Sequence, residues 1–450
     1  MKDDNFLKEN NARHLWHPMG HPGDAQINAP KIIKGADGAH ITDIDDHRVV
    51  DAVGGLWCVN LGYSNDIVKD AIAGQLYQLP YYSAFAGTSN PTAIEASYAV
   101  RDFFAADGMS RVFFTSGGSD SVETCLRLAR QYHRLRGEPT RSKFLSLKKG
   151  YHGTHFGGAS VNGNNRFRIA YEPLLPGCFH LPSPYTYRNP FNQSDPAKLA
   201  QSIANAMEDE IAFQGANTIA AFIMEPIQGA GGVIVPDPSL MPLLRDICDR
   251  HGILMISDEV ITGFGRSGDW SGARHWGVKP DMMCIAKGIT SGYFPVGAAL
   301  MSDKIAEVFE SDTTGEGAIF HGYTYSAHPV GAAAVVACLS ETLRLDTKTN
   351  AAARGAQLYQ GALKLAEKYD VIGDVRGGHG LMTGIELVSD KAAKTPMDNA
   401  TMKRLHQTVY EAGTMVRLGM HNILMSPPLT ITEAEVDTVL ASLDAGLASL

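Results

Sequence analysis

The sequence lacks the features that mark several classes of protein. None of its six cysteines forms a C-x-x-C pair, so neither a disulfide framework nor a zinc site is predicted. No run of roughly 18 apolar residues occurs, and the charged N-terminus has no apolar segment of the kind found in secretory signals. We therefore expect a cytoplasmic protein that has no membrane partner.

Positively charged residues are fewer than negatively charged ones. The chain has 39 Lys and Arg residues against 48 Asp and Glu residues, which gives a net charge of −9. This balance argues against nucleic acid and anionic membranes as partners. The 450 residues show no internal repeat, low-complexity segment or long linker, and 44% of them are hydrophobic. A chain of this length buries a sufficient core and is expected to form two or three domains.

The common nucleotide motifs are absent or incomplete. No G-x-x-x-x-G-K-[ST] occurs, and "GFGRSG" (263–268) matches G-x-G-x-x-G without the apolar-periodic helix that a dinucleotide site needs after it. The histidines of "HLWHPMGH" and "HGTH" have no nearby cysteine or carboxylate to complete a ligand set. We predict neither NAD binding nor a metal site.

Short apolar runs alternate with amphipathic segments through the first two thirds of the chain. The pattern predicts strands at 111–116, 143–148, 219–226, 253–260, 281–286 and 296–302, and helices at 120–136, 199–212 and 239–252. Strands that alternate with helices form α/β folds whose sheets are mostly parallel. We therefore predict a doubly wound, mostly parallel sheet.

The pattern of predicted helices and strands changes after about residue 330. "PVGAAAVVACLSETLRL" reads as a long helix, and short strands are predicted at 381–388 and 414–419, before a final helix from Glu433. Near the N-terminus, residues 39–54 read as two strands joined by a turn at Asp45-Asp46. We predict a large α/β domain (55–330) and a smaller α+β domain built from residues 1–54 and 331–450.

Two charged residues follow buried-looking strands. Lys287 in "PDMMCIAKGIT" is either a lysine whose amine reaches solvent or a desolvated amine able to form a Schiff base. Asp258 in "ISDEVITGFGR" is either a loop acid or a carboxylate that faces a ring nitrogen of a cofactor. Ligands of open α/β sheets bind at the carboxyl ends of the strands, which favours neither alternative alone.

Three loops carry further candidates. "SGGSDSVE" (116–123) is either a tight turn or a phosphate cradle at a helix N-terminus, with Asp120 and Glu123 as a capping pair. In "KGYHGTHFGG" (149–158), Tyr151 is an ordinary loop residue or the cover of an aromatic cofactor. In "FHGYTYSAHPVGAAA" (320–334), Thr324 or Ser326 donates to a phosphate, or the loop only begins a helix.

The motifs taken together are far more specific than each alone. "SGGSDSVE", "YHG", "EPIQGAGG", "DEVITGFGR", "AKGI" and "HGYTYSAHPV" follow one another in an order and spacing that resemble the class III (ω-) aminotransferases. "HGYTYSAHPV" and "HLWHPM" look closest to the branch that transfers amino groups from ω-amino acids or amines to pyruvate. The resemblance implies an α/β fold of the pyridoxal-phosphate fold type I, with a large domain and a smaller α+β domain.

The resemblance also implies how each side of the cofactor ring is held. Lys287 would form a Schiff base with pyridoxal 5'-phosphate, and Asp258 would pair with its ring nitrogen. Val260 would pack under the ring. Tyr151 would stack on the other face, with two residues alongside it, His152 and Gly153.

Further residues would hold the phosphate and the rim of the ring. Gly118 and Ser119 would bind the phosphate, and Glu225 would orient the site near the phenolic side of the cofactor. Thr324 would reach the phosphate of the neighbouring subunit's cofactor. The resemblance thus implies a homodimer or a dimer of dimers.

The substrate residues implied by the resemblance are Trp57, Phe85, Tyr151, Ala230 and Arg417. Arg417 would bind the acceptor's carboxylate, because a guanidinium offers two parallel hydrogen bonds. The sequence departs from the family at two places. The cradle reads S-G-G-S-D-S where N-S-G-S-E-A is common, and Ala230 replaces the glutamate usual in ornithine- and GABA-type members. The smaller residue leaves more space for a donor side chain.

The expected activity is a ping-pong transfer of an amino group from an amine or ω-amino acid to a keto acid, with pyruvate as the expected acceptor. Lys287 would move the proton as general base and then acid. A decarboxylase or an aminomutase on the same fold would share every cofactor residue, so it stays open as an alternative. A non-enzymatic protein that kept the fold is the third possibility.

Overall fold

The protein is described by a computed structural model over residues 3–450, and its sixteen strands form three sheets. The strands are β1 (Ile33–Asp37), β2 (His40–Asp43), β3 (Arg48–Asp51), β4 (Met109–Thr115), β5 (Lys143–Leu147), β6 (Cys178–Leu181), β7 (Ile219–Met224), β8 (Leu254–Asp258), β9 (Met282–Ile285), β10 (Gly297–Ser302), β11 (Ile372–Arg376), β12 (Thr383–Asp390), β13 (Thr395–Pro396), β14 (Thr414–Met415), β15 (Arg417–Gly419) and β16 (Asn422–Met425).

The same described residues form fifteen α-helices. They are α1 (Asp4–Asn10), α2 (Pro22–Ile27), α3 (Gly54–Trp57), α4 (Asp66–Gln78), α5 (Pro91–Phe103), α6 (Gly118–Leu135), α7 (Phe156–Val161), α8 (Pro196–Gln214), α9 (Leu240–His251), α10 (Gly272–His275), α11 (Asp303–Glu310), α12 (Pro329–Arg344), α13 (Thr347–Lys368), α14 (Asn399–Glu411) and α15 (Glu433–Ala448). No helix among residues 3–450 combines the length and apolarity needed to cross a bilayer.

Local sequence explains where several helices begin and end. α15 begins after Thr432, whose hydroxyl accepts from the N–H of Glu435, while the Glu435 carboxylate accepts from the N–H of Thr432. α8 follows the N-cap Asp195 and has Pro196 as its first residue. α9 ends at Gly252, which adopts a left-handed conformation with φ of +63°.

The central sheet has seven strands in the order β4-β10-β9-β8-β7-β5-β6. Neighbours from β9 through β8, β7 and β5 to β6 are parallel, and β10 is antiparallel to both β9 and β4. Every residue of β7 and β9 is buried, as expected for strands covered on both faces. The predicted α/β fold with a mostly parallel, doubly wound sheet is confirmed.

The direction of these strands brings three loops to one edge of the sheet. Asp258 is the last residue of β8, and Lys287 lies two residues beyond the end of β9. β8 and β9 are parallel, with Asp258 opposite Cys284. β4 runs in the same direction as β9, since both are antiparallel to β10, so the turn at Gly117 reaches the same edge.

The two smaller sheets come from the ends of the chain. One has the order β1-β2-β3-β14, in which β3 pairs in parallel with β14 and so joins the N-terminal and C-terminal segments. The other has the order β11-β12-β16-β15, with β13 on β12. We propose that residues up to 54 and from 331 form the smaller domain, with α12 at its start packed on α4 and α5 of the large domain.

Candidate active site

A cavity of about 380 Å³ opens at the edge of the sheet where β8, β9 and the loop after β4 meet. Nine of the predicted residues line it. They are Gly118, Ser119, Tyr151, His152, Gly153, Glu225, Asp258, Val260 and Lys287. Their segments lie up to 169 positions apart in the chain (118 to 287), so the parallel sheet is what assembles them.

Lys287 projects from a tight turn into this cavity. Its φ of +49° lies in the left-handed region, which a side chain rarely adopts. Burial lowers the pKa of its amine, while the negative charge of Asp258 acts in the opposite direction. An amine with a lowered pKa is more often unprotonated near neutral pH, and it is then a nucleophile or a base.

Asp258 and His152 form a buried pair at the floor of the cavity. Asp258 Oδ2 lies 2.8 Å from His152 Nδ1, and its Oδ1 accepts from the Val260 N–H at 3.1 Å. Only 3% of Asp258 and 2% of His152 are exposed. With two polar partners, the carboxylate is held in one orientation, as a partner for a ring nitrogen must be.

Glu225 links two loops of the cavity through hydrogen bonds to their backbone. Its Oε2 accepts from the Tyr151 N–H at 3.0 Å and its Oε1 from the Gly229 N–H at 3.1 Å. Burial raises the pKa of this carboxyl to about 7; Asp258 adds to the shift and His152 opposes it. Glu225 therefore fixes the backbone that carries the Tyr151 ring.

The raised pKa of Glu225 predicts a pH-dependent stability. The folded protein binds a proton at Glu225 that the unfolded chain, with its ordinary pKa of 4.5, releases. The free energy of unfolding should therefore fall by about 3 kcal/mol as pH rises from 4.5 to about 7. Denaturant unfolding of the cofactor-free protein between pH 4.5 and 8 measures it. Glu225→Gln should flatten this slope, and an unchanged slope would contradict the assignment.

The start of α6 is suited to an anion. The first N–H groups of any helix lack an acceptor within the helix, and the N-cap of α6, Gly117, has no side chain that could accept from them. A Cβ at Gly118 would lie 2.9 Å from Val260 Cγ1, and one at Gly153 2.6 Å from Ser119 Oγ. These glycines keep open a space where the helix dipole favours a phosphate.

The capping pair predicted for α6 is wrong. Asp120 Oδ2 accepts from the Ser116 N–H at 3.0 Å, but Glu123 turns away and accepts from the Gly157 N–H at 3.1 Å. Because the N-cap is a glycine, no hydroxyl is present for the reciprocal half of a capping box. The free N–H groups of the first turn are consequently left for a ligand.

The residues of the cavity fit pyridoxal phosphate. Lys287 supplies an amine, Asp258 a fixed carboxylate, and the first turn of α6 unpaired N–H groups, and all of them line one space. Val260 and Tyr151 line the same cavity, as the two faces of a planar ring require. The chemistry of these lining groups matches this cofactor.

Of the five predicted substrate residues, only Tyr151 lines this cavity. Arg417, half-buried on β15, lines a neighbouring cavity with Asp51 and Tyr63. Burial lowers the pKa of Arg417, and the nearby Tyr151 opposes that shift, so the two side chains are electrostatic neighbours. Trp57 is buried, with φ of +64°, and packs in the hydrophobic core; Ala230 is half-buried in the loop after Glu225.

Phe85 and Thr324 lie on the surface of their own chain. Phe85 is 51% exposed, and its Cζ lies close to Gly322. The carbonyl of Thr324 accepts from the Tyr81 hydroxyl at 2.8 Å. Neither residue lines the cavity of the same chain.

The sequence interpretation did not identify several residues that line the cavity. Cys58, Thr290 and Phe294 all line the cavity. Cys58 comes from the segment after α3, far from the other lining residues in sequence, and no local pattern marks it. The apolar and hydroxyl side chains of the 290–296 loop also form no sequence pattern that marks them as part of a site.

Comparisons with known sequences and with solved structures indicate the same family. The family described as Aminotransferase class-III matches residues 23–447. The putrescine–pyruvate aminotransferase of Pseudomonas aeruginosa is 35% identical over 91% of this chain and 89% of its own length. The ω-aminotransferase of Caulobacter vibrioides is 37% identical, with 96% of this chain and 97% of its own covered. An amine transaminase from an uncultivated Pseudomonas species, solved in a PLP-bound form, has a TM-score of 0.95 at 47% identity, covering 97% of this chain and 98% of its own.

Proposed function

Because the chain belongs to the class III aminotransferases, which depend on pyridoxal phosphate, we propose that it transfers an amino group from an amine or ω-amino acid to pyruvate. One observation carries the proposal. A single cavity joins the Lys287 amine, the Asp258 carboxylate and the unpaired N–H groups of α6. The residue roles that follow are part of the same proposal.

Each residue of the cavity has a task that its chemistry allows. Lys287 would hold the cofactor through Nζ, Gly118 and Ser119 would bind its phosphate, and Asp258 would keep its ring nitrogen protonated. When bound, pyridoxal phosphate supplies a carbonyl carbon that takes up the amino group and a ring that accepts electrons from the substrate carbon. His152 holds Asp258 in place through the 2.8 Å contact.

Lys287 also moves the proton. As a free base whose pKa burial lowers, its Nζ would take the proton from the donor's amine-bearing carbon. The same Nζ would then act as the general acid that gives the proton back. The Asp258 carboxylate stabilises the positive charge on the ring nitrogen during this transfer. The donor product leaves before the keto acid enters, so ping-pong kinetics are expected.

The substrate assignment rests on Arg417, on Ala230 and on the relatives. The cation of Arg417, next to Tyr151, can bind a carboxylate of the acceptor with two hydrogen bonds. The small Ala230 leaves space for the donor side chain. The Pseudomonas aeruginosa relative is named for putrescine and pyruvate, and this supports the same acceptor here.

A homodimer is part of the proposal. The described surface carries many exposed aromatic and large aliphatic side chains from α4, α5 and the loop before α12. These include Tyr77 (94% exposed), Tyr98 (63%), Phe320 (97%) and Tyr325 (61%). Surfaces of this kind usually mark protein interfaces. Phe85 and Thr324 lie among them, which supports their contribution to a neighbouring subunit's site.

A donor screen tests the proposed reaction. The holoenzyme is incubated with pyruvate and, in turn, β-alanine, taurine, putrescine or 1-phenylethylamine, and alanine is measured. Alanine should form with at least one donor, and double-reciprocal plots should give parallel lines. Carbon dioxide release from an amino acid, with no alanine from any donor, would favour the decarboxylase alternative. A rearranged amino acid would favour the aminomutase.

Replacing Arg417 should separate the two substrates. Arg417→Met removes a pair of charge-assisted hydrogen bonds, so kcat/KM for pyruvate should fall about 10- to 100-fold. The half-reaction with uncharged 1-phenylethylamine should change less than about threefold, because that donor has no carboxylate. Stopped-flow absorbance measures each half-reaction. Arg404→Met, on α14, is the surface control, and equal losses in both half-reactions would contradict the assignment.

A further inference from the structure

An arginine of the "GFGRSG" segment is buried at the centre of the molecule. Arg266 has no exposed surface, and it makes no ion pair with a carboxylate of the described residues. Its Nη1 donates to the carbonyls of Pro427 at 2.5 Å and Leu381 at 3.1 Å, and its Nη2 donates to Asn60 Oδ1 at 3.0 Å. A buried cation is costly, and these three hydrogen bonds offset part of that cost.

Asn60 connects this arginine to the turn that carries Lys287. The Asn60 side chain is buried, with its Oδ1 bound to Arg266 and its Nδ2 donating to the Phe264 carbonyl at 3.4 Å. A Cβ on Gly288 would lie 2.5 Å from Asn60 Nδ2 and 3.0 Å from Phe264 Cβ. The Asn60 amide therefore lies directly against the peptide that follows Lys287.

The turn needs such support because its backbone is strained. The φ of +49° at Lys287 lies in a region that costs roughly 1–3 kcal/mol for a residue with a side chain. Such a conformation persists only where neighbouring atoms leave no alternative. The segment after Trp57 provides further contacts, since the Leu61 N–H donates to Ser291 Oγ at 2.8 Å and Cys58 Sγ packs at Gly292.

We propose that Arg266, acting through Asn60, is a positioning residue that holds Lys287 in its left-handed conformation and thereby directs Nζ into the cavity. A guanidinium suits this task because its planar donors reach acceptors from three different segments at once. A neutral side chain of similar size supplies too few donors for Asn60, Leu381 and Pro427 together. The inference rests on the proposed function, in which Lys287 holds the cofactor.

A purely structural Arg266 would give a different experimental result. Its partners come from distant segments, so its loss lowers the melting temperature under either interpretation. Only a positioning residue also changes the local behaviour of the Lys287 turn and the chemistry of Nζ. The experiment therefore needs a control arginine that is also buried and also donates to backbone carbonyls.

Arg141 provides this control. It is 9% exposed, and its guanidinium donates to the carbonyls of Ala216 at 2.9 Å, Ile219 at 3.1 Å and His251 at 3.2 Å. It does not line the active-site cavity. Arg141→Met and Arg266→Met remove the same kind of group, and both should lower the melting temperature of the holoenzyme.

Three local readouts distinguish the variants. In Arg266→Met, amide hydrogen exchange in residues 286–292 of the holoenzyme, followed by mass spectrometry, should become at least about tenfold faster. The pH midpoint of the visible absorbance of the lysine-bound cofactor should also shift, and the donor half-reaction should slow by about 10- to 100-fold, as a misplaced group predicts. Arg141→Met should leave the exchange rate and the half-reaction rate within about twofold of the wild type and the pH midpoint unchanged.

A double-mutant cycle completes the test. Asn60→Ala should reproduce these changes. The double variant Asn60→Ala/Arg266→Met should show changes little larger than either single variant, because Arg266 acts on the Lys287 turn through Asn60. If Arg266→Met gives no folded holoenzyme, Arg266→Lys, which keeps the charge but reaches fewer acceptors, should show the same changes at smaller size.

The proposal is overturned if exchange in 286–292 and the pH midpoint stay at wild-type values in the Arg266 variants. It is equally overturned if Arg141→Met produces the same local changes. A wild-type protein whose added pyridoxal phosphate gives no lysine-bound absorbance would instead contradict the proposed function. Failure of the inference and failure of the function therefore give different results.

Discussion

Replacing Lys287 with alanine is expected to lower the rate of amino transfer by about 10⁴-fold or more, the upper end of the effect of a lost acid–base group. The variant loses both the amine that holds the cofactor and the base that moves the proton. Pyridoxal phosphate should still bind, because the unpaired N–H groups of α6 and the Asp258 carboxylate remain. The visible absorbance should change from that of a lysine-bound cofactor to that of the free aldehyde.

The measurement combines absorbance spectra with the half-reaction of the best donor found in the screen. Small primary amines added to the variant should restore part of the rate, because they supply the missing base. Lys149→Ala is the matched control. Burial also lowers the pKa of Lys149, but its Nζ lies over the Tyr185 ring at 5.0 Å and does not line the cavity. Its removal should change the rate by less than about threefold.

Near-normal turnover by Lys287→Ala would remove the basis of the proposed function. Loss of cofactor binding together with loss of turnover would point to a collapsed site, and the melting temperature of the variant decides between these outcomes. Retained binding with lost turnover is the combination expected of a residue that acts on the bound cofactor.

The sequence predicts the central sheet well because its strands are short apolar runs that end at chemically marked residues. β8 and β9 are fully buried; β8 ends in Asp258, and Lys287 comes two residues after the end of β9. Strand direction then places Asp258 and Lys287 at one edge, as a doubly wound topology requires. β6 and the N-terminal strand β1 were not predicted: β6 is short, and β1 is exposed along its length, so neither has a clear period.

The rest of the site depends on contacts that local patterns do not carry. The "GFGRSG" segment was set aside because it lacks the helix of a dinucleotide motif, yet it holds the buried Arg266. Nothing near residue 60 indicates that Asn60 lies against the turn after Lys287. Phe85 and Thr324 show a different limit, because both are exposed on this chain and the roles we propose for them require a second subunit.

Asp258→Asn should be the second most damaging change, with a loss of about 10²- to 10³-fold in the rate of the donor half-reaction. Asparagine keeps the shape and can still accept from the Val260 N–H, but it removes the negative charge that would hold a proton on the ring nitrogen. The cofactor should still bind and should still form its bond with Lys287. The defect should therefore appear in the rate of proton removal and much less in cofactor affinity.

The neighbouring acid provides a control of equal burial. Glu259 is fully buried and accepts from the N–H groups of Gly272 at 2.8 Å and Ala273 at 2.7 Å, outside the cavity. Glu259→Gln should lower the melting temperature and leave the half-reaction within about threefold of the wild type. A deuterium isotope effect on the donor carbon should grow in Asp258→Asn, because proton removal becomes the slowest step.

His152 decides how the Asp258 result is interpreted. Because His152 Nδ1 lies 2.8 Å from Asp258 Oδ2, His152→Ala should give a smaller loss than Asp258→Asn, by freeing the carboxylate to turn. In the double variant the two losses should not add, since the histidine has no charged partner left to orient. Additive losses would mean that His152 contacts the cofactor independently. A His152→Ala loss as large as that of Asp258→Asn would mean that the pair, and not the carboxylate alone, keeps the ring nitrogen protonated.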